Sequence, residues 1–331
     1  MINAYAAHDA GQPLEPFTYE PDALGANEVE VTITHCGICH SDVHILDGDW
    51  GKNYPAVAGH EIIGTISAIG SQVTSHKIGD RVGVGWLSGS CMDCEWCIQG
   101  EVNLCANGVA TCKNRHGGFA DKMNTDSRFA FHIPDGLASE NAAPLLCGGI
   151  TVYSPLRHFG ITPASRVGVI GIGGLGHLAL QFANAFGCEV TAFSTSPEKE
   201  AEARTFGAHH FINSKDSDQF KPLKHSFDVI LSTVNVNLDW HPYLRALRPN
   251  GMLCFVGVVS GNLEIPHYAL AYQKSIRTGA TGGRTTMIEM LDFANRHNIV
   301  AQTEVVPFSE VNSALDKVRN NQARYRMVLE M

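Results

Sequence analysis

The sequence lacks long hydrophobic runs, basic clusters, internal repeats and low-complexity tracts. No stretch approaches the ~20 consecutive apolar residues of a membrane-spanning helix, so we predict no membrane segment. Asp and Glu outnumber Lys and Arg by 33 to 24, for a formal net charge of −9. This acidic balance argues against a nucleic-acid partner, which needs a basic face to neutralise phosphates. The N-terminus has no basic flank before an apolar run, as a secretory signal would, so we expect a cytoplasmic protein.

The composition is otherwise that of a globular protein with a sizeable core. The chain has 331 residues, of which 44% are hydrophobic and 17% charged. That length exceeds what one hydrophobic core usually fills. We therefore expect two domains or one large one.

Four of the ten cysteines fall in one short segment, CMDCEWCIQGEVNLC. Disulfides suit this cluster poorly, because a two-residue spacing favours convergence on one tetrahedral ion and cytoplasmic thiols stay reduced. A redox CxxC motif needs only two of the four and usually follows a strand in a thioredoxin-like unit, which is absent here. A closed four-thiolate zinc site fits best, and it would be structural because no position is left for a substrate. Its predicted ligands are Cys91, Cys94, Cys97 and Cys105.

A second set of metal ligands is scattered through the chain. Catalytic zinc takes three protein ligands and keeps a fourth position open, and two cysteines with one histidine form a known ligand set. Cys39 in HCGICHSDVH and His60 in AGHEIIGTISAIG are two candidates. Cys147, beside glycines that permit close approach, is the best third candidate. The remaining cysteines are predicted to be buried apolar fillers: Cys36, Cys112, Cys188 and Cys254.

A glycine-rich loop lies between an apolar run and a helical pattern in VGVIGIGGLGHLALQFANAF, residues 167–186. In that context GxGxxG predicts a dinucleotide site, because the glycines allow a tight turn, close approach of pyrophosphate and helix packing on the sheet. The predicted loop comprises Gly171, Gly173, Gly174, Leu175 and Gly176.

The cofactor choice depends on the residues after the next strand, CEVTAF at 188–193. An acid there would bind the ribose hydroxyls of NAD and repel a 2′-phosphate. The chain instead supplies Ser194, Thr195, Ser196 and Lys199. Hydroxyls and a cation suit a phosphate ester, so we predict NADP(H) in preference to NAD(H). Ser196 is alternatively a cap for the helix that begins in PEKEAEA, and both roles are compatible.

The pattern of elements changes along the chain. Beyond residue 150, strand-like runs alternate with helical ones, which predicts a parallel, doubly wound sheet in an α/β protein. Before residue 140, short runs punctuated by glycine predict a β-rich lobe that carries both metal sites.

These motifs together resemble the zinc-containing medium-chain alcohol dehydrogenases. GHE-x2-G-x5-G-x2-V at 59–73, GDRV at 79–82, the four-cysteine segment, CGG at 147–149 and the glycine loop follow that family's order over essentially the whole chain. CGICHSDVH, YPAVAGHE and FSTSPEK are similar to the cinnamyl alcohol dehydrogenase branch.

The resemblance implies a fold and a reaction. It implies a GroES-like, β-rich catalytic domain over 1–145, completed by 285–331, and a Rossmann domain over 146–284. It implies hydride transfer between NADP(H) and primary alcohols or aldehydes, aromatic or medium-chain. It further implies two Zn²⁺ per chain, one catalytic and one structural, in a homodimer or homotetramer.

The resemblance also gives roles to residues near the predicted catalytic zinc. Cys39, His60 and Cys147 would bind the metal, with Glu61 able to approach it during ligand exchange. Asp42 would accept the other N–H of His60 and so fix its tautomer.

Other roles concern proton transfer and the cofactor. Ser41 would hydrogen-bond the alcohol oxygen, His44 would complete a proton relay through the cofactor ribose, and His40 would face the pyrophosphate. Without the resemblance, Ser41 and His44 would be interpreted as a helix cap and a surface histidine. The remaining implied cofactor contacts are Thr151, Val256, Val258 and, at the pyrophosphate, Arg326.

Two other functions compete with an oxidoreductase. The four-cysteine cluster alone would suit a zinc-finger-like binding module, which the acidic balance opposes. The other is a family member that has lost catalysis. The presence of Cys39, Ser41, His44, His60 and Cys147 argues against it. For the substrate, Trp50, Trp86 and Leu87 are predicted to be core residues more than walls of an apolar pocket.

Overall fold

The computed structural model describes residues 1–279 and 281–331. The chain divides into two compact units. The first consists of Met1–Ile150 together with Thr281–Met331, and the second is the segment between them. In the described part of the chain, no helix has both the length and the apolar character needed to cross a membrane.

The described residues form seventeen strands and ten α-helices. The strands are β1 (Ile2–Ala6), β2 (Glu15–Tyr19), β3 (Glu28–Ile38), β4 (Glu61–Ile69), β5 (Arg81–Val84), β6 (Leu87–Gly89), β7 (Val109–Ala110), β8 (Lys122–Asp126), β9 (Phe131–His132), β10 (Arg166–Ile170), β11 (Glu189–Ser194), β12 (His210–Asn213), β13 (Phe227–Ser232), β14 (Leu247–Phe255), β15 (Ser275–Thr278), β16 (Thr303–Pro307) and β17 (Arg326–Glu330). The helices are α1 (His40–Leu46), α2 (Glu95–Ile98), α3 (Ser139–Ala142), α4 (Gly148–His158), α5 (Gly176–Ala185), α6 (Glu200–Thr205), α7 (Ser217–Phe220), α8 (His241–Ala246), α9 (Arg284–Arg296) and α10 (Val311–Arg319).

The first unit is built on a sheet with strand order β16-β17-β3-β4-β5-β9, and β8 also pairs with β3. Over residues 28–33 of β3, buried and half-buried residues alternate, as expected for a strand with one face on a core. The buried residues of α10, Val311, Ala314 and Leu315, share one helix face and join the same core. β16 pairs with β17, and β17 pairs with β3. The end of the chain thus belongs to the same sheet as β3.

The second unit contains a six-stranded sheet with order β12-β11-β10-β13-β14-β15. All its neighbouring strands are parallel. Counted from β10, this is the 3-2-1-4-5-6 order of doubly wound dinucleotide-binding sheets. The prediction of a doubly wound parallel sheet is confirmed.

The apolar runs VILSTV at 229–234 and MLCFVGV at 252–258 predict strands, and both strands end before the runs do. β13 ends at Ser232 and β14 at Phe255, so Val256 and Val258 lie in the loop after β14. The carboxyl ends of parallel strands share one sheet edge, where ligands of this fold bind. This edge carries the glycine loop after β10, Ser194 at the end of β11, and the loop after β14.

Candidate functional site

Four metal-ligating side chains meet in the first unit. Cys39 immediately precedes α1, His60 and Glu61 lie at the start of β4, and Cys147 immediately precedes α4. One ligand atom from each lies within 4.8 Å of all the others. The Sγ atoms of Cys147 and Cys39 are 3.8 Å apart, and His60 Nε2 is 3.3 Å from Cys147 Sγ.

These distances fit the coordination sphere of one zinc ion. Thiolates at about 2.3 Å and an imidazole at about 2.0–2.1 Å from a tetrahedral centre lie roughly 3.5–3.8 Å apart. A hydrogen bond from the Cys147 thiol lowers the pKa of Cys39 well below its usual value. One thiolate is therefore already favoured, as a metal ligand must be.

Asp42 organises this donor set from the first turn of α1. Its Oδ1 accepts from His60 Nδ1 at 2.9 Å and from the Gly59 N–H at 2.8 Å, and its Oδ2 accepts from the Cys39 N–H at 2.8 Å. With Nδ1–H bound to a carboxylate, the lone pair of His60 is on Nε2, the atom that faces Cys147. The predicted contact of Asp42 with His60 is present.

Glu61 and Arg326 form a buried ion pair beside the donors. Burial raises the pKa of Glu61 to about 7, against the attraction of the guanidinium. Glu61 Oε2 has no hydrogen-bond partner within the described residues, which leaves one carboxylate oxygen for a metal ion. Arg326 thus binds Glu61, a contact that sequence analysis did not foresee, and its pyrophosphate contact stays a prediction.

Three other polar side chains of α1 follow Cys39 along the helix. Cys39, not Ser41, occupies the N-cap position of α1, so the simple cap interpretation of Ser41 is wrong. Ser41 Oγ lies 3.7 Å from Cys39 Sγ. His44 Nδ1 contacts Asp49 Oδ2 at 2.7 Å, and the His40 ring lies 5.6 Å from that of His44. Burial lowers the pKa of His40.

A small apolar cavity lies in the first unit beside the donor cluster. The Trp86 ring, which lines it, meets the His60 ring edge to face at 5.0 Å, and Trp50 meets Trp86 in the same way at 5.9 Å. Leu87 also lines the cavity, so Trp86 and Leu87 are wall residues and not only core. Other apolar lining residues are Val102, Phe129, Phe131, Leu146, Ile150 and Met287.

Cys112 is a site residue that sequence reasoning missed. Its Sγ lies 3.8 Å from His60 Nδ1 and 4.0 Å from Asp42 Oδ1. It was expected to be a buried filler, and it is buried, but it packs against the His60–Asp42 pair. No motif spacing links it to either residue, so no local signal could have identified it.

The four clustered cysteines converge on a separate metal site. One Sγ from each of Cys91, Cys94, Cys97 and Cys105 lies within 4.8 Å of the others. Cys91 Sγ is 3.8 Å from Cys97 Sγ and 3.4 Å from Cys105 Sγ, close to the edges of a zinc–thiolate tetrahedron. The backbone N–H groups of Asp93 and Cys94 lower the pKa of Cys91 to about 6, which favours the thiolate.

The glycine loop of the second unit has the geometry of a phosphate cradle. Gly171 adopts a φ of +86°, which favours glycine in this turn. A Cβ at Gly176 would lie 1.9 Å from the Gly171 carbonyl oxygen, whereas a Cβ at Gly173 would enter open space. Gly174 and Leu175 complete the turn before α5. The loop thus leaves room for a pyrophosphate at Gly173 and packs tightly at Gly176.

The hydroxyl-rich segment after β11 lies beside this loop. Ser194 Oγ accepts from the Ser196 N–H at 3.1 Å, and Lys199 Nζ donates to the Ile172 carbonyl at 2.9 Å. Ser196 occupies the N-cap position of the 3₁₀ turn Pro197–Lys199, which leads into α6 at Glu200. Its side chain makes no capping bond to that turn, so only the position of the alternative interpretation is met.

The remaining predicted cofactor residues are distributed along the second unit. Thr195 is exposed after β11, Thr151 is buried in α4, and Val256 is buried after β14. Val258 is 59% exposed, so its side chain is available to a ligand at the carboxyl edge.

Comparisons with known proteins agree over nearly the whole chain. Residues 25–135 match the alcohol dehydrogenase GroES-like domain, and residues 174–296 match the zinc-binding dehydrogenase family. The chain is 45% identical over 331 residues to the aldehyde reductase AdhA of Synechocystis, covering 99% of this chain and 98% of that protein.

Solved structures give the same result. The cinnamyl alcohol dehydrogenase SbCAD4 of Sorghum bicolor superposes with a TM-score of 0.95 at 38% identity, covering 99% of this chain and 97% of that one. CAD from Helicobacter pylori, complexed with NADP(H), gives a TM-score of 0.92 at 31% identity, covering 100% and 98%. The chain, with its GroES-like domain and Rossmann-type parallel sheet, therefore belongs to the zinc-containing medium-chain alcohol dehydrogenase family of oxidoreductases.

Proposed function

We propose that this protein is an NADP(H)-dependent zinc aldehyde reductase and alcohol dehydrogenase that acts on aromatic or medium-chain aldehydes and the matching primary alcohols. The observation that carries the proposal is the convergence of Cys39, His60 and Cys147 beside an apolar cavity lined by Trp86. Three strong donors leave a fourth position for a substrate oxygen, as catalytic zinc requires. The four-cysteine site supports a second, structural zinc.

The metal ligands and the residues that contact them have separate proposed roles. Zinc held by Cys39, His60 and Cys147 would supply Lewis-acid polarisation of the carbonyl, and a bound nicotinamide would supply hydride. Asp42 keeps the His60 Nε2 lone pair available. We assign Glu61, through its unpartnered Oε2, the role of an alternative ligand during exchange.

Neighbouring side chains are proposed to transfer the proton and to bind the substrate. We assign Ser41 the donation of a proton to the product oxygen, because its hydroxyl lies 3.7 Å from a ligand sulfur. His44, bound to Asp49, would take up a proton from solvent to replace the one that Ser41 donates, because the His44 side chain is 26% exposed. Trp86 and Leu87 would bind the apolar part of the aldehyde and exclude water.

Preference for NADP(H) is supported by the segment after β11. No carboxylate stands at Ser194, Thr195 or Ser196, and Lys199 lies against the glycine loop at 2.9 Å from the Ile172 carbonyl. Hydroxyl donors and a cation would stabilise a 2′-phosphate that an acid would repel. His40 and Thr151 complete the proposed cofactor contacts.

The test is an assay of the purified protein with cinnamaldehyde or benzaldehyde and either NADPH or NADH, before and after treatment with a chelator. Chelator-sensitive reduction that prefers NADPH is the expected result. Equal or better turnover with NADH would refute the cofactor assignment. No turnover with either cofactor, in protein that holds both zinc ions, would refute the substrate class or catalysis itself.

We also propose a cytoplasmic homodimer or homotetramer, on the strength of the family resemblance. Light scattering on the eluted protein distinguishes the two assemblies. A monomeric mass would contradict both.

A further inference from the structure

A third group of metal-ligating side chains lies in the first unit, outside the two sites described above. His76 and Asp80 belong to the loop between β4 and β5, and His132 is the last residue of β9. A ring nitrogen of each histidine and a carboxylate oxygen of Asp80 lie within 4.8 Å of one another. The His76 and His132 rings are 4.6 Å apart, with their planes inclined by 38°.

Hydrogen bonds to the backbone orient both rings. His76 Nε2 lies 2.9 Å from the Ser127 carbonyl oxygen, and His132 Nε2 lies 3.4 Å from the Ser75 carbonyl oxygen. A carbonyl can only accept, so each Nε2 carries a proton, and in the neutral ring the lone pair is then on Nδ1. A backbone carbonyl in this position fixes the tautomer and the ring orientation of metal-binding histidines.

The remaining polar atoms are also suited to a ligand. His76 Nδ1 is buried and has no hydrogen-bond partner within the described residues, which is costly unless something binds it. Burial lowers the pKa of His76, which favours the neutral imidazole with a free lone pair. Asp80 Oδ2 accepts the Lys77 N–H at 2.9 Å, which orients the carboxylate.

We propose that His76, Asp80 and His132 form a third metal site, which binds a divalent transition-metal ion such as Zn²⁺. Two imidazoles and one carboxylate suit zinc, copper or nickel, whereas Mg²⁺ and Ca²⁺ prefer oxygen donors throughout. Three protein ligands leave the rest of the coordination sphere to water.

The bound ion would stabilise an edge of the sheet. β9 is the last strand in the order β16-β17-β3-β4-β5-β9, and it pairs with β5 through only Val82↔His132 and Gly83↔Phe131. A metal bridge from His132 to His76 ties this short strand to the preceding loop. Binding to the folded state alone raises stability with metal concentration.

The test compares the full-length wild type with two variants after equilibration in buffered Zn²⁺, with zinc per chain measured by plasma mass spectrometry. His132→Ala removes an exposed ligand with little packing, and Asp80→Asn keeps the shape of the carboxylate but not its charge. His210→Ala, at an exposed histidine of the second unit paired with Glu189, is the matched control. Wild type and control should bind one more zinc per chain than either variant.

Hydrogen exchange tests zinc binding at this site separately from the two other proposed zinc sites. Hydrogen exchange of residues 71–80 should slow when Zn²⁺ is added to the wild type and the control, and should not respond in His132→Ala. Equal zinc content in all four proteins, or slowing that persists in His132→Ala, would overturn the proposal. Because the comparison is a difference between variants, it does not depend on the proposed enzymatic activity.

Discussion

Asp42 is a single residue on which the geometry of the donor cluster depends. Its two oxygens hold His60, Gly59 and Cys39 through three hydrogen bonds in a fully buried position. It therefore sets the His60 tautomer and fixes the backbone at two of the elements that supply ligands. The sequence contains the residue, but only the fold gives it three partners.

Asp42→Asn should weaken the proposed catalytic site without unfolding the protein. The amide keeps the shape but cannot accept at every position or stabilise the His60 N–H, and loss of the group that orients a ligating histidine typically costs about 10–100-fold in metal affinity or activity. The measurement is kcat/KM for aldehyde reduction together with zinc content. Asp47→Asn, in a surface pair with Arg319, is the control. Unchanged kcat/KM and zinc retention in Asp42→Asn would contradict this role.

Arg326→Met should destabilise the fold strongly. It leaves the buried Glu61 carboxyl without its partner, so that it must stay charged and unpaired or take up a proton, and breaking a buried pair in this way costs about 3–5 kcal/mol. Arg319→Met, which breaks a partly exposed pair with Asp47, should cost about 0–1 kcal/mol. Urea unfolding of both variants measures the difference. Equal decreases in the free energy of unfolding would contradict the prediction, because they would mean that water reaches the Glu61–Arg326 pair.

At the scale of elements, two glycines of one loop have different tasks. Gly176→Ala should destabilise the second unit, because its Cβ would lie 1.9 Å from the Gly171 carbonyl oxygen. Gly173→Val should leave the melting temperature nearly unchanged but raise the KM for NADPH, because its side chain enters the open space left for pyrophosphate. Calorimetry and cofactor kinetics separate the two. Loss of fold in Gly173→Val, or intact stability in Gly176→Ala, would contradict the assignment.

The four-cysteine segment is an element with very little core of its own. Among the described residues, the core around it holds buried Cys97 and Val102 from the segment and Phe129 from the turn after β8. Small cores of this kind depend on cross-links or metals. Val102 and Phe129 also line the apolar cavity, so the segment shapes the proposed substrate site.

Cys94→Ala should therefore loosen this segment and weaken substrate binding as well. We expect faster proteolytic cleavage within 91–105 and a raised KM for the aldehyde, since the cavity wall moves with the segment. Cys188→Ala, at a buried cysteine of the second unit, controls for the loss of a thiol. An unaltered cleavage rate and KM in Cys94→Ala would show that metal does not hold the segment.

At the scale of the whole molecule, the clusters of metal donors and the glycine loop belong to different units. All the described clusters of metal donors lie in the first unit, and the glycine loop lies in the second. Prolonged chelation should thus abolish aldehyde reduction while NADPH still binds. Quenching of NADPH fluorescence before and after chelation measures this, with Gly173→Val as the control in which cofactor binding is weakened. Loss of NADPH binding on chelation would contradict the separation.

Much of the architecture was predictable from local patterns. The apolar run at 167–170, the glycine loop and the periodic helix after it predict the first strand–loop–helix of the parallel sheet, and the structure has them as β10 and α5. Strand ends were less predictable, because the apolar runs continue past β13 and β14 into loops that stay partly buried. Hydrophobicity indicates that a segment is buried, but it does not indicate at which residue the hydrogen bonds between neighbouring strands end.

The sequence by itself determined most of the candidate metal and cofactor residues, because cysteine spacing, the GHE motif and GxGxxG are local patterns typical of ligand and loop geometry. Only the tertiary structure decided which distant residues meet. It placed Arg326 on Glu61, Cys112 against His60, and His132 beside His76. These contacts join separate strands and loops, and they depend on sheet order and register, which no short segment encodes.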